Sequence, residues 1–307
     1  MPAPTLLPWT FRDIEAFGAA PHRAAHLLHE QPMFTDDALA DLLDRLPREA
    51  VHPYTMGTDA STTGEWRRGE TTDLPGKELL EVVGRGRLWL NLVGVSRYDA
   101  ALAGLVADAY AEIGTLVPGF DPLEIKATLL ISSPTAMVYY HADNQPNLLW
   151  HLRGRKRAYV YPRAERFASR ADLEKVVAGA STEGLPYDAG FDAHAEVLDL
   201  EPGQVAWWPQ NCPHRVENLD GMNVSLSTEH WTPASVRRER VWTANHHLRE
   251  RLGRGARSTR EDGVLAAGKV AAMRVGRKAG LLRTGEQQAL RPSFRIDPDV
   301  ASGVGRL

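Results

Sequence analysis

The run Tyr139-Tyr140-His141-Ala142-Asp143-Asn144-Gln145-Pro146-Asn147 carries the decisive pattern, and Pro213-His214-Arg215-Val216-Glu217-Asn218 answers it downstream. Ala136 to His141 reads as a strand. Alternate side chains of a strand share a face, so His141 and Asp143 point the same way. His214, arriving on another strand, completes a set of two histidines and one carboxylate. That set suits Fe(II) and leaves three coordination positions open.

The surroundings of this run have one texture. From about residue 124 to 231 short β-like segments alternate with turn residues: Ile125 to Ser132, Ala136 to His141, Leu148 to Leu152, Arg157 to Tyr161, Glu196 to Leu200, Gln204 to Trp208, His214 to Glu217 and Met222 to Glu229. Strands of this length and spacing predict a sandwich or barrel. Residues 164–195 interrupt them with a helical and loop insertion. Upstream, Arg87 to Val93 reads as a further strand. Residues 98–116 read as a helix, with Leu102, Leu105, Val106, Ala109 and Ile113 on its apolar face.

Residues 9–46 read as largely helical, with Thr35 or Asp36 capping a helix that Pro47 closes. His22, His26 and His29 then share one helix face, expected to be an ordinary packed or surface face. Residues 51–74 read as loop, and Glu78 to Val83 as a short helix. Beyond the strands, residues 232–250 and 261–280 return to helix, and the last 25 or so are partly irregular. Three parts are expected: an N-terminal helical and loop region (1–84), a β domain (85–231) and a basic helical region (232–307).

The 307 residues are 43% hydrophobic and 24% charged, an ordinary globular balance with enough length for a sizeable core. Cys212 is the one cysteine, which excludes an intrachain disulfide and a cysteine-based zinc site. No run of about 18 apolar residues occurs, so no membrane span is expected. The N-terminus lacks the pattern of a signal peptide, and the expected compartment is the cytoplasm. The net charge of -3 is unevenly spread. Residues 233–307 carry 16 Lys/Arg against 7 Asp/Glu, leaving 20 against 32 for residues 1–232. The basic tail is expected to fold onto its own acidic body or to dimerise; nucleic acid is not an expected partner.

Pro202-Gly203-Gln204, then Pro209, His214 and Asn218, resembles the second cupin motif, with Gln204 for its usual Asp and Asn211 for its usual Gly. His141, Asp143, Asn147 and Gly154 stand at the spacing of the first motif, with Asp143 and Asn147 replacing its second His and its Glu. This form is similar to the JmjC and factor-inhibiting-type branch, whose members use Fe(II) and 2-oxoglutarate. The resemblance implies a mainly β double-stranded β-helix (jelly roll) with helical flanks, and iron held by His141, Asp143 and His214. It implies that Lys156 grips the far carboxylate of 2-oxoglutarate, with Asn147, Tyr139 and Asn91 beside the cosubstrate. Trp89 and Val138 stand where some relatives carry hydroxyls. Strand parity points Lys156 inward and Arg153, Arg155 and Arg157 outward. Glu229 is expected on the substrate side.

The implied activity is that of a 2-oxoglutarate-dependent dioxygenase: the cosubstrate goes to succinate while a peptide or protein side chain, or a small molecule, is hydroxylated. The C-terminal helices resemble the region that dimerises relatives, so a homodimer is expected. Two other readings compete, since fold does not fix function. One is a cupin metalloenzyme that does not use 2-oxoglutarate; the other is a cupin-fold regulatory or binding protein acting on transcription. Lys156 argues against the first, and a complete ligand set against the second.

Overall fold

The computed structural model describes residues 5–62, 65–70, 73–253, 258–280 and 290–307. The elements run α1 (Phe11–Ala16), β1 (His22–Ala25), α2 (Asp36–Arg45), β2 (Val51–Thr55), β3 (Arg67–Glu70), α3 (Gly76–Arg85), β4 (Trp89–Leu92), α4 (Ala100–Leu116), β5 (Glu124–Ser132), β6 (Met137–His141), β7 (Asn147–Val160), α5 (Arg170–Val177), β8 (Glu196–Leu200), β9 (Gln204–Trp207), β10 (His214–Trp231), α6 (Pro233–Leu252), α7 (Gly263–Lys278), β11 (Pro292–Ile296) and β12 (Val304–Gly305).

Two long strands make the architecture. β7 and β10 are antiparallel along their whole lengths, from Asn147 opposite Glu229 to Val160 opposite His214. Each passes through two sheets. The first half of β7 pairs with β9 and its second half with β8. The second half of β10 pairs with β5, and its first half with β6. The crossing falls at Gly154, whose φ of 79° lies in the left-handed region, and at the register shifts between Asn218 and Ser225 on β10. One sheet continues β10-β5-β4-β2-β3-β11-β12 and the other is β6, β8 and the far halves of the long strands. Two facing sheets joined by shared strands form a jelly roll, the double-stranded β-helix expected from the sequence.

The apolar inner residues that alternate along the larger sheet, such as Leu129, Ile131, Trp150, Val224 and Leu226, pack against α2, α3 and α4. Their opposite faces turn into the barrel. Asp99 caps α4 through the Leu102 amide, and Thr35 caps α2 through the Ala38 amide. The insertion is fastened at both ends. Glu174 of α5, fully buried, accepts from Arg170 and Arg249. Asp192 accepts from the Tyr161 and Tyr187 hydroxyls and from Arg215, the neighbour of His214.

Two expectations are corrected. Residues 9–46 hold short helices but also β1, and the three histidines share no helix face. His22 lies on β1, His26 is buried in the turn after it, and His29 sits in a 3-10 turn at Leu28–Glu30. Strand β1 is fixed by pairing with β9, a long-range contact that overrides the local helical spacing. Residues 51–74 are not all loop: β2 and β3 extend the larger sheet beside β4. Their Thr- and Gly-rich composition hides strands whose pairing is again non-local.

Candidate metal centre

His141 ends β6 and His214 opens β10, and the two are paired in register. Asp143 follows His141 by two. The Nε2 of His141 lies 3.6 Å from Asp143 Oδ1, and the Nε2 of His214 lies 3.5 Å from Asp143 Oδ2. One ligand atom from each residue falls within 4.8 Å of the others. His141 Nδ1 donates to the Tyr139 carbonyl at 2.8 Å, and His214 Nδ1 to the Cys212 carbonyl at 3.0 Å. A carbonyl only accepts, so each Nδ1 carries the proton and each Nε2 lone pair faces Asp143. This is the arrangement that metal-ligating histidines require. Burial, reinforced by the adjacent His141, pushes His214 down to about 4, so it is neutral at physiological pH. The donor set therefore fits a divalent ion of the Fe(II) type.

The loop beneath the set is built for it. Asn211, in place of the motif's glycine, has a φ of 62°, a region that asparagine tolerates better than most side chains. Its amide donates to the Asp143 carbonyl at 2.8 Å, which a glycine could not do. Asn147 donates to the Asp143 carboxylate at 3.3 Å and accepts from the Ser227 hydroxyl at 3.2 Å. Cys212 is buried and its thiol is pushed up to about 11 by that burial; it contributes its carbonyl to His214 and no reactive thiolate.

The set opens on a cavity of about 930 Å³ between the sheets. Lys156 points into it and is 5% exposed, whereas Arg155 and Arg157 lie outside, paired with Glu201, Asp220 and Asp199. Its Nζ donates to Ser225 Oγ at 3.0 Å. The hydrogen bonds behind it have one direction. His151 Nε2 donates to the Gly154 carbonyl at 2.9 Å, so its Nδ1 accepts from the Ser225 hydroxyl at 3.0 Å, and that hydroxyl is left to accept from Lys156. Burial and the nearby Lys156 charge push His151 down to about 3, which keeps it neutral. No carboxylate pairs with Lys156 among the described residues, and burial pushes its ammonium down to about 8. A buried cation without a counter-ion is costly, and an anionic ligand relieves it.

Asn91 and Tyr139 also line the cavity. The Asn91 Oδ1 is buried with no partner. The Tyr139 ring lies 5.7 Å from His141 and meets Trp66 edge-on at 4.7 Å. Burial, then the Glu183 charge, raise its phenol above the ordinary value, so it remains protonated. Glu229 lies on the wall near Asp143, pushed up to about 7 by burial and by that carboxylate.

Several lining residues were beyond sequence reasoning. Glu183 and Leu185 of the insertion bond to Ala142 and Tyr140, so this segment bridges the ligand strand, with Gly184 opposite His141. Gly184 packs closely there: a Cβ would sit 3.0 Å from the Tyr139 ring, which would have to give slightly. Tyr54, Trp66 and Arg68 come from the segment read as loop.

No known protein family matches the chain, and no curated protein does. Among solved structures it is similar to the Escherichia coli ribosomal oxygenase YcfD in complex with cobalt and 2-oxoglutarate. The TM-score is 0.52 at 16% identity, over 88% of this chain and 66% of that one. A second structure of Escherichia coli YcfD gives 0.52 at 17%, over 92% of this chain and 70% of the other. The fold is that of YcfD. The chain spans about two thirds of the length of these structures, and at this identity the likeness is one of fold.

Proposed function

We propose that the protein is an Fe(II)- and 2-oxoglutarate-dependent oxygenase that hydroxylates a peptide or protein side chain, or a small molecule. The observation that carries the reading is Lys156: a buried, unpaired ammonium inside the same cavity as a histidine–aspartate–histidine set. A metal site alone fits many reactions; the added anion subsite selects a carboxylate cosubstrate.

His141, Asp143 and His214 would hold the metal through Nε2, a carboxylate oxygen and Nε2. Bound there, Fe(II) with 2-oxoglutarate and O₂ supplies the oxidising chemistry, and the cosubstrate leaves as succinate and CO₂. Lys156 binds the far carboxylate, oriented by Ser225. Asn147 fixes the Asp143 rotamer. Tyr139, Trp66 and Trp89 line the chamber with aromatic surface and exclude water. Asn91 and Tyr139 lie where they can meet cosubstrate or substrate.

A peptide or protein substrate is the reading favoured within this class. The cavity is open, and its lining includes the half-exposed Val93 and Tyr98. The protein whose fold is shared is named a ribosomal oxygenase. A cytoplasmic homodimer joined through α6 and α7 completes the proposal; exposed Val264, Leu265 and Val275 on α7 support it. The test is succinate formation from 2-oxoglutarate with Fe(II): wild type turns over slowly without substrate and His214→Ala does not. Full succinate production by His214→Ala would show the assignment to be wrong.

A further inference from the structure

Along the larger sheet, the same cavity carries a second row of polar groups. Arg68 on β3, Tyr54 on β2, Trp89 on β4 and Ser132 on β5 stand side by side in register, and all four line the cavity. Trp89 is 8% exposed and its indole N–H has no partner. The Nε of Arg68 is likewise buried without a partner. Among the described residues Arg68 makes no ion pair, although its charge is felt by both His52 and Tyr54. Buried donors are rarely left unpaired, and two in one row facing one space call for a ligand acceptor. Arg97 and His52 line the same outer part; of the acids in the lining, Glu183 is felt by Tyr54 alongside the Arg68 charge, Glu49 lies beside His52 in sequence, and Asp143 and Glu229 lie toward the metal.

Ser225, which binds Lys156, is four strands from Arg68 across the sheet, roughly 19 Å at the usual strand spacing. That backbone separation sets the Arg68 end of the row apart from the Lys156–Ser225 pair. We propose that Arg68, Tyr54 and Trp89 form a carboxylate-binding subsite for the substrate, separate from the Lys156 subsite. The guanidinium offers a planar fork to the two carboxylate oxygens, and the indole N–H adds a third donor from the side. The substrate is then a molecule that presents a carboxylate well away from the carbon to be oxidised: a chain terminus or an acidic side chain. This rests on the reading of the cavity as an oxygenase substrate chamber.

The test uses the full chain loaded with Co(II) and saturating 2-oxoglutarate, and three probes titrated by calorimetry. They are acetyl-Ala-Gln-Ala-Ala-amide, its free-acid form, and its Gln→Glu form. The expected result is that one acidic form binds about tenfold tighter than the neutral peptide, the scale of a charge-assisted hydrogen bond. The free acid winning identifies a terminal carboxylate; the glutamate form winning identifies a side chain. Arg68→Gln removes the preference, Arg68→Lys keeps part of it, and Trp89→Phe, which deletes the N–H alone, reduces it. Thermal unfolding confirms that each variant is folded. Equal binding of all three peptides, binding of none, or a preference that survives Arg68→Gln overturns the proposal. Repeating the titration on metal-free protein separates the claims. A preference that persists there and depends on Arg68 supports the subsite even if metal and 2-oxoglutarate prove not to bind together.

Discussion

Lys156 illustrates how a single residue trades stability for function. Its ammonium is enclosed, touches one hydroxyl and faces no carboxylate among the described residues. A fall from 10.5 to about 8 corresponds to roughly 3 kcal/mol of unfavourable burial. The folded pKa is the lower one, so the penalty is present in full below pH 8. It fades as pH rises toward 10.5, where the unfolded chain binds more protons than the folded. Lys156→Met is therefore expected to raise the unfolding temperature of the ligand-free protein at pH 7. The gain should shrink between pH 8 and 10.5, and 2-oxoglutarate affinity should fall on the order of 10- to 100-fold. Thermal unfolding with and without 2-oxoglutarate checks both; a less stable ligand-free variant contradicts the account. At this scale the sequence was informative because strand parity is local: two residues apart means one face. Parity placed His141 with Asp143, and Lys156 opposite its arginine neighbours. It said nothing of Arg68, whose place depends on strands paired across long stretches of chain.

At the level of elements, β7 and β10 are each one strand, whereas the sequence reads each as two. The break in apolar pattern at Gly154 marks a bend, not an end. Gly154 allows it with a left-handed backbone, and a Cβ there would meet the Asn223 amide at 2.6 Å and the Met222 carbonyl at 3.0 Å. Gly154→Ala is expected to lose about 1–3 kcal/mol, from the left-handed conformation and the clash together. Denaturant unfolding measures this, and an unchanged midpoint would show that the bend does not need glycine. The loop that follows β9 makes a related point. Asn211 departs from the motif's glycine, yet it adopts the same kind of backbone and gains a bond to the Asp143 carbonyl. A motif written as residue types hides this; the requirement is on φ.

For the whole molecule, period-two runs and turn residues are written locally, so the strand pattern conveyed a sandwich or barrel with helical flanks, and the resemblance to the cupin motifs narrowed it to a jelly roll. The N-terminal strands β1, β2 and β3 were not legible, since partners far along the chain make them strands. The insertion read correctly as helix and loop, but its contribution to the metal centre was invisible. Glu174 docks it on α6 and Asp192 on Arg215, and its apolar residues Leu173, Val176 and Leu185 share a cluster with Val241 and Trp242. Glu174→Gln leaves Arg170 and Arg249 around a fully buried neutral group, and a loss of about 3 kcal/mol is expected in thermal unfolding. No loss would mean that the insertion is held by its apolar contacts alone. The central claim is that one cavity brings a metal and 2-oxoglutarate together, and it can be tested without a substrate. Fe(II) and 2-oxoglutarate are added anaerobically to the metal-free protein, and the weak visible charge-transfer band of the chelate is sought. The account predicts a band in the wild type that is lost in His214→Ala and fades in Lys156→Ala. Bound metal without a band in the wild type would contradict it.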